Sequence, residues 1–517
     1  VDKRLGPVGI EATLGHNYYY EKRIARVSEG RVMAVQGFYN IKNTLDVTTS
    51  ESYLSNEKFY GVFADIRLNY NEYLFVSLSG RNDWSSTLPK QNNSYFYPAA
   101  SVGFEFTEPL GISDSPVLSY GKIRLSYGQV GGATNSFVTA NYYNPAVIDG
   151  DGLLSANEFP AFGVNSFERS GQLANSDLIH ELTSTLEIGG DFQFFTGRIG
   201  LDITYYNAFT NNAIVQTDIS AASGFTEIVL NSGSLENKGI ELVFNAKPIR
   251  NSVIDWDIDI NFTKNNSLVK SLPEGIPSLP LASFSALTSL NTVGYPYGVM
   301  SGSRYRRDEQ GRMVIGSDGW PLIEDTQGVI GDPNPDWFAG LKNSLSLYGV
   351  RFSMLWDIKK GGDVWNGTKA VMDYLGTSKE SGDLRGVTEY VFDGVTVDGE
   401  VNTVPVDFAN PARGMGGIKW RRAGTLLGVA EDNIEDASWI RLREVTLGYQ
   451  FPKKWFGKSS IQSLNLSFYG RNLLLFTEYK GVDPETNLRG PSNAQGWDYF
   501  NLPGTRSYGV SLKAVLK

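Results

Sequence analysis

The chain contains no cysteine and only two histidines, His16 and His180, among its 517 residues. Disulfide frameworks, thiolate metal sites and thiol nucleophiles are therefore excluded. Neither histidine has a partner at metal-ligand spacing, so both read as ordinary polar loop or strand-end residues. A basic excess is also missing. Net charge is −10 at pH 7 and the isoelectric point lies near 5.0, which argues against a general nucleic-acid binder. No apolar run approaches the roughly 20 residues of a membrane-spanning helix. There is no HExxH, no P-loop, no GxGxxG after a strand and no usable Ser-His-Asp set, and the chain reads as a non-enzyme. Adjacent carboxylates such as Glu431/Asp432 and Glu435/Asp436 carry no glycosidase signal, because that chemistry needs a defined separation. No fixed period of roughly 20–50 residues recurs, against a propeller or solenoid. No leader is visible at Val1. The chain opens mid-pattern with VDKRLGPVGIEATLGHNYYY, which leads us to expect a mature or cleaved piece of something longer.

What the chain has in abundance is aromatic side chains and period-two alternation. Aromatics are 13% of residues, with 28 Phe, 27 Tyr and 10 Trp. In Tyr60 to Arg81, one set runs Tyr60, Val62, Ala64, Ile66, Leu68, Tyr70 and the other Gly61, Phe63, Asp65, Arg67, Asn69. Such alternation means a strand with one apolar and one mostly polar face. Asn71-Glu72 can turn the chain, and Leu74, Val76 and Leu78 then resume the apolar face opposite Ser77, Ser79 and Arg81. The same pattern recurs through about fifteen strands. It is sharpest where Ile254, Trp256, Ile258, Ile260 and Phe262 alternate with Asp255, Asp257, Asp259 and Asn261. A bare carboxylate row must see water, while five large apolar residues on the other face must not. A membrane barrel meets both demands, as does the outer surface of a soluble sandwich.

Connections alternate in length. Asn71-Glu72, Phe195 to Arg198 and Tyr348-Gly349 are short turns. Arg81 to Tyr97, Gly131 to Thr185, Thr210 to Lys238, Asn265 to Asp336 and Lys359 to Ser438 read as long Gly/Asn/Asp/Pro-rich loops. Short periplasmic turns and long extracellular loops are the asymmetry of outer-membrane barrels. The expected fold is all-β, an antiparallel transmembrane barrel.

Several segments resemble the SusC/RagA family of TonB-dependent outer-membrane transporters of Gram-negative bacteria. They are GRNDWSSTLP with YFYPAASVGFEF (from Gly80 and Tyr95), GKIRLSYGQVG (from Gly121), SGFTEIVLNSGSLENKGIEL (from Ser223), GDPNPDWFAGLKN (from Gly331), DIKKGGDVWN (from Asp357), ASWIRLREVTLGYQFP (from Ala437) and YGRNLLLFTEYKGVDPE (from Tyr469). They occur in the family's order and cover nearly the whole chain. The resemblance implies a large plugged barrel of about 22 strands. It also implies a SusD-like lipoprotein lid, and import of an oligosaccharide or peptide driven by the TonB complex. About fifteen strands cannot close such a barrel. Residues 1–517 are therefore expected to be its C-terminal part, with the plug domain and the N-terminal barrel strands not in this chain. Two other readings stay open: a soluble or surface β-rich carbohydrate-binding module, and a passive outer-membrane pore.

Candidate lumen-facing residues are Asp255, Asp257, Asp259, Asp65, Arg67 and Arg81. The aspartate row either tunes the lumenal potential or simply wets an interior wall, paired with lysine or arginine on neighbouring strands, and the second is preferred. Trp84, Trp320, Trp365 and Trp497 are candidate loop contacts for substrate or lid, since aromatic faces stack on sugars and side chains. The plainer reading is that they pin loops, and that Trp84 and Tyr97, just beyond strand ends, belong to an interface girdle. No cofactor is expected. Asp149-Gly150-Asp151-Gly152 and Asp308-Glu309-Gln310-Gly311 hint at loop calcium, but neither completes a calcium loop and turns are preferred.

Overall fold

The structure, a computed structural model, describes residues 2–148, 157–158, 164–231, 233–409, 428–457 and 459–516. Fifteen strands form one antiparallel meander in chain order. They are β1 Asp2–Leu5, β2 Val8–Met33, β3 Thr44–Tyr70, β4 Leu74–Ser85, β5 Ser94–Glu105, β6 Leu118–Gly132, β7 Glu181–Phe194, β8 Ile199–Asn211, β9 Ser234–Arg250, β10 Ile254–Ser271, β11 Trp337–Leu347, β12 Val350–Lys360, β13 Trp439–Gln450, β14 Ile461–Thr477 and β15 Ser507–Leu516. No helix is long and apolar enough to cross a membrane. The chain divides into two compact units, one of Val1–Phe104, Arg124–Leu186 and Ala208–Ser234, the other of Glu105–Ile123, Glu187–Asn207 and Leu235–Lys517.

In the first unit, pairing keeps the alternation in phase across strands. Ile66 faces Ala12 and Leu78, Leu68 faces Ile10 and Val76, and Leu78 faces Ala100. Ile66, Leu78 and Leu14 stay exposed, the last at 80%. A water-soluble sheet would cover such a face; a barrel turns it to lipid. Aromatic rings mark both ends of it. His16, Tyr60 and Trp84 lie together at one end, with Tyr60 and Trp84 5.4 Å apart. Tyr70, Tyr73 and Phe104 form an edge-on series at the other, at 5.5 and 6.2 Å. The Tyr60–Tyr70 interval matches the roughly 9–11 residues of a tilted spanning strand. Strand β3 begins not near Tyr60 but at Thr44, and with β2 it continues past the Tyr60 end for about 50 Å of chain at ~3.3 Å per residue.

The connection expected to be long between Arg81 and Tyr97 is short, residues 86–93. The GRNDWS run continues the alternation instead of breaking it, so Arg81, Asp83 and Tyr97 belong to strands. Residues of 86–93, 133–180 and 212–233 then pack on the inner face: Leu88, Val138, Leu178 and Val229 gather round Tyr95, and His180 stacks on Tyr95 at 4.7 Å. Burial holds the His180 imidazole below its ordinary pKa.

In the second unit, β9–β15 repeat the two-faced pattern. Phe262 with Trp337 (5.8 Å) and Trp356 with Phe476 (6.5 Å) supply its rings. Tight turns follow from backbone handedness. Phe195, Thr196 and Gly197 have φ of 55°, 57° and 76°, and Tyr348 and Gly349 have φ of 51° and 86°. Two consecutive left-handed residues make the twist-compatible two-residue hairpin. The long segments carry structure of their own: a small sheet from strands Ser278–Phe284, Leu287–Thr292, Val299–Gly302 and Gly328–Gly331, and helices α1 Gly367–Leu375 and α2 Lys379–Leu384.

Gly349 tests the turn. A Cβ there would sit 3.0 Å from the Gln450 carbonyl oxygen, on a backbone that L residues rarely adopt. Gly349→Val is expected to lower stability by about 1–2 kcal/mol, read from urea midpoints of the folded protein in lipid. An unchanged midpoint would refute the turn assignment.

Candidate functional site: the inner wall and its loops

The polar face of the first unit concentrates charge. Asp65, Arg67 and Arg81, predicted separately, do come together there. They line one recess of about 420 Å³ with Thr13, Tyr97 and Gln129. Register explains the meeting: Asp65 opposes Ser79 and Phe63 opposes Arg81 on β4, while Arg81 opposes Tyr97 on β5. The Arg67 Nε lies 2.8 Å from Asp65. Arg81 donates from Nε to Asp83 at 2.7 Å and from Nη2 to Asn17 at 2.7 Å. The Tyr97 hydroxyl donates to the other Asp83 oxygen, so Tyr97 belongs to this wall and not to the interface girdle. Asp83 is only 2% exposed and is the acceptor on which both partners converge. Gly61 opposes it in register, and a Cβ on Gly61 would overlap Arg81 and Asp83. Sequence reasoning passed over Asp83. The available signal was its in-phase position two residues after Arg81.

In the second unit, Asp255, Asp257 and Asp259 face Ser346, Ser344 and Lys342 on β11. Asp259 accepts from Asn245 Nδ2 at 2.8 Å and lies 3.9 Å from Lys342. It also lines an open recess of about 440 Å³ with Asp191, Arg198, Asp202 and Lys247. The row is half-buried and of mixed surroundings, in keeping with wetting and pairing. A denser charge cluster was missed altogether. Arg441 on β13 meets Asp483 at 2.6 Å and Glu485 at 2.9 Å, and Arg443 meets Asp357 at 2.6 Å. Trp439 lies 4.9 Å beneath the Arg443 guanidinium. The two arginines of WIRLRE thereby tie β12 and β13 to the loop that follows β14.

The four tryptophans are not ligand platforms. Trp84 lies inside β4 opposite Tyr60, within the outward ring cluster, because the strand runs on to Ser85. Trp365 and Trp497 are fully buried with Leu287, Met300 and Val371. Trp320 is 3% exposed, packed against Phe392 and Phe408 at 5.5 and 5.4 Å. Each has its ring faces covered, since loops this long need apolar cores to stay ordered. The carboxylates follow suit. Glu431 and Asp432 accept from the Tyr305 N–H and O–H at 2.8 and 2.6 Å, and burial, with Asp432 next, pushes the Tyr305 phenol above its ordinary range. Glu435 accepts from Asn366 and from the Lys480 N–H at 3.2 and 2.8 Å. At α1, burial alone would lower the Lys369 ammonium, but Asp373 and Glu380 outweigh it and raise its pKa.

Asp308 closes a turn. Its carbonyl accepts from the Gly311 N–H at 3.0 Å and its carboxylate pairs with Arg312 at 2.8 Å. Asp149 to Gly152 lies outside the described residues. Among the described residues no group of three or more His, Asp or Glu side chains is arranged to hold a metal.

The Asp83 centre gives a direct test. Asp83→Ala removes the shared acceptor of Arg81 and Tyr97, and is expected to cost about 1–3 kcal/mol, measured by urea unfolding in lipid. Asp83→Asn should recover part of that loss. A neutral Asp83→Ala would contradict the geometry.

A model of the family described as "TonB dependent receptor-like, beta-barrel" matches residues 4–473. TonB-dependent receptor P3 of Formosa agariphila is 26% identical over 505 residues, covering 92% of this chain and 47% of that protein. TonB-dependent receptor SusC of Bacteroides thetaiotaomicron is 27% identical over 437 residues, covering 81% of this chain and 41% of that one. The fold resembles that in the structure of the RagAB peptide transporter, with a TM-score of 0.72 at 18% identity over 98% of this chain and 53% of that one. The chain spans about half the length of the curated relatives it matches. With its lipid-compatible outer face and its charged inner face, the chain belongs to the TonB-dependent receptor β-barrel family of the outer membrane.

Proposed function

We propose that this chain supplies wall and extracellular loops to an importer that takes a bulky nutrient, an oligosaccharide or a peptide, across the outer membrane. The observation that carries this reading is the inner wall itself, where Arg81, Asp83 and Tyr97 form a pre-set polar cluster on the face away from lipid. Such a wall offers hydrogen bonds and mixed charge to a hydrated cargo and performs no covalent step. The loops with buried tryptophan cores are rigid enough to present a fixed mouth to a lid.

In this reading the chain is the C-terminal part of the barrel, and the remaining strands and a plug are supplied outside residues 1–517. A SusD-like lipoprotein covers the mouth, and the TonB complex acts through the plug. Relatives named for TonB dependence, SusC and the RagAB peptide transporter support it. The test is uptake of fluorescent oligosaccharide and peptide panels by cells carrying the intact protein, with and without a working TonB system. Accumulation of one class that falls at least about tenfold without TonB is the expected result. Uptake that persists without TonB would replace import by passive diffusion.

A further inference from the structure

Charge on the β2–β3 hairpin is segregated by face. On the inward face lie Glu11, Glu21, Glu57 and Asp65, with Arg23 2.9 Å from Glu21 and Arg67 2.8 Å from Asp65. The outward face holds no carboxylate from Val8 to Arg26 or from Ser52 to Tyr70, nor across β4 and β5. Its three cations are Lys22, Arg26 and Lys58, all exposed, and all beyond the His16–Tyr60–Trp84 cluster at the long-loop end. Register places them in one column. Lys58 opposes Tyr20, Lys22 opposes Asn56 and Arg26 opposes Ser52, with no bulge before Val27. Tyr20 donates to Asn56 at 3.2 Å across this same face.

Depth supplies the second observation. Measured from the Tyr18–Tyr60 pair, Lys58 and Lys22 lie two and four residues along the strand, about 7 and 13 Å at ~3.3 Å per residue. A tilt of about 45° reduces this to ~5 and ~9 Å above the aromatic level. The headgroup layer beyond the hydrocarbon core is of that thickness, roughly 5–8 Å per leaflet. Below the rings, Leu14, Ile66 and Leu78 offer exposed apolar surface for acyl chains.

We propose that this outward face is a binding site for phosphate-bearing glycolipid of the outer leaflet. Acyl chains would lie on the apolar rows, with phosphates held by Lys58 and Lys22 and, further out, by Arg26. The proposal rests on the placement in the outer membrane and is independent of what the barrel transports. Charge complementarity favours a lipid phosphate: a bare cationic column at headgroup depth has no carboxylate on its own face to pair with. An acidic neighbouring protein is the competing occupant.

The test uses the intact protein in phosphatidylethanolamine nanodiscs with graded amounts of hexa-acylated, bisphosphorylated lipid A. Bound lipid is counted by native mass spectrometry. Each lysine or arginine near the surface is worth about a fivefold change, so Lys22→Ala with Arg26→Ala and Lys58→Ala should weaken binding on the order of 100-fold. Arg23→Ala, on the inward face, should leave it unchanged. Lys22→Arg with Lys58→Arg should retain it, which separates charge from folding, and heat-modifiable gel migration confirms that each variant is folded. Dephosphorylated lipid A should bind wild type no better than it binds the triple variant. Equal lipid A binding by wild type and the triple variant would overturn the proposal and leave an acidic protein as the partner of these cations. Equal binding of phosphorylated and dephosphorylated lipid would overturn it too.

Discussion

A backbone inside hydrocarbon must satisfy every N–H and C=O without water, and only helices and closed sheets do so. The rest of this structure depends on that constraint. With no spanning helix present, the sheet has to keep hydrogen-bonded register over fifteen strands, and each strand must also separate lipid from water across its own width. The pairing of Ile66 with Ala12 and Leu78 on one face, and of Asp65 with Ser79 on the other, is the local form of that demand. A shift of one residue would put Asp65 and Arg67 into lipid, at a cost of several kcal/mol each. Register is thus enforced by charge as much as by apolar burial.

The inner wall inherits its order from the same constraint. Residues that alternate with lipid-facing ones are delivered to the lumen at fixed intervals, and Arg81, Asp83 and Tyr97 meet because strand pairing aligns them. Asp83, buried beneath two donors, is the pivot. Arg441 and Arg443 act similarly on the other unit, binding strand ends to the loop that carries Asp483 and Glu485. Long loops are held by separate small cores, so their aromatics serve packing before they serve any ligand.

Much of this was legible in the sequence, for a physical reason. Two-residue periodicity is local, so the two faces of β3, β4, β10 and β12 could be assigned from side-chain order alone, as could the turns at Asn71-Glu72 and Tyr348-Gly349. What depends on distant neighbours was not. Nothing near Trp365 announces that Leu287, Met300 and Trp497 will enclose it, and a tryptophan between glycine-rich stretches looks exposed. The 81–97 segment read as a loop because Gly, Asn, Asp and Pro are turn formers, yet GRNDW keeps strict alternation and pairing with β3 and β5 outweighs propensity. Asp83 was passed over because its value lies in two partners on other strands or positions, Arg81 and Tyr97.

The central claim is that alternate residues of the same strand meet lipid and water. The absence of native cysteine makes it directly measurable. Single cysteines at positions 64 to 68 and 76 to 79 of the intact protein in bilayers, each spin-labelled, can be compared for collision with oxygen and with a water-soluble nickel chelate. Oxygen accessibility should peak at 64, 66, 68, 76 and 78, and nickel accessibility at 65, 67, 77 and 79. Uniform accessibility, or the opposite phase, would contradict the two-faced wall on which the functional reading stands.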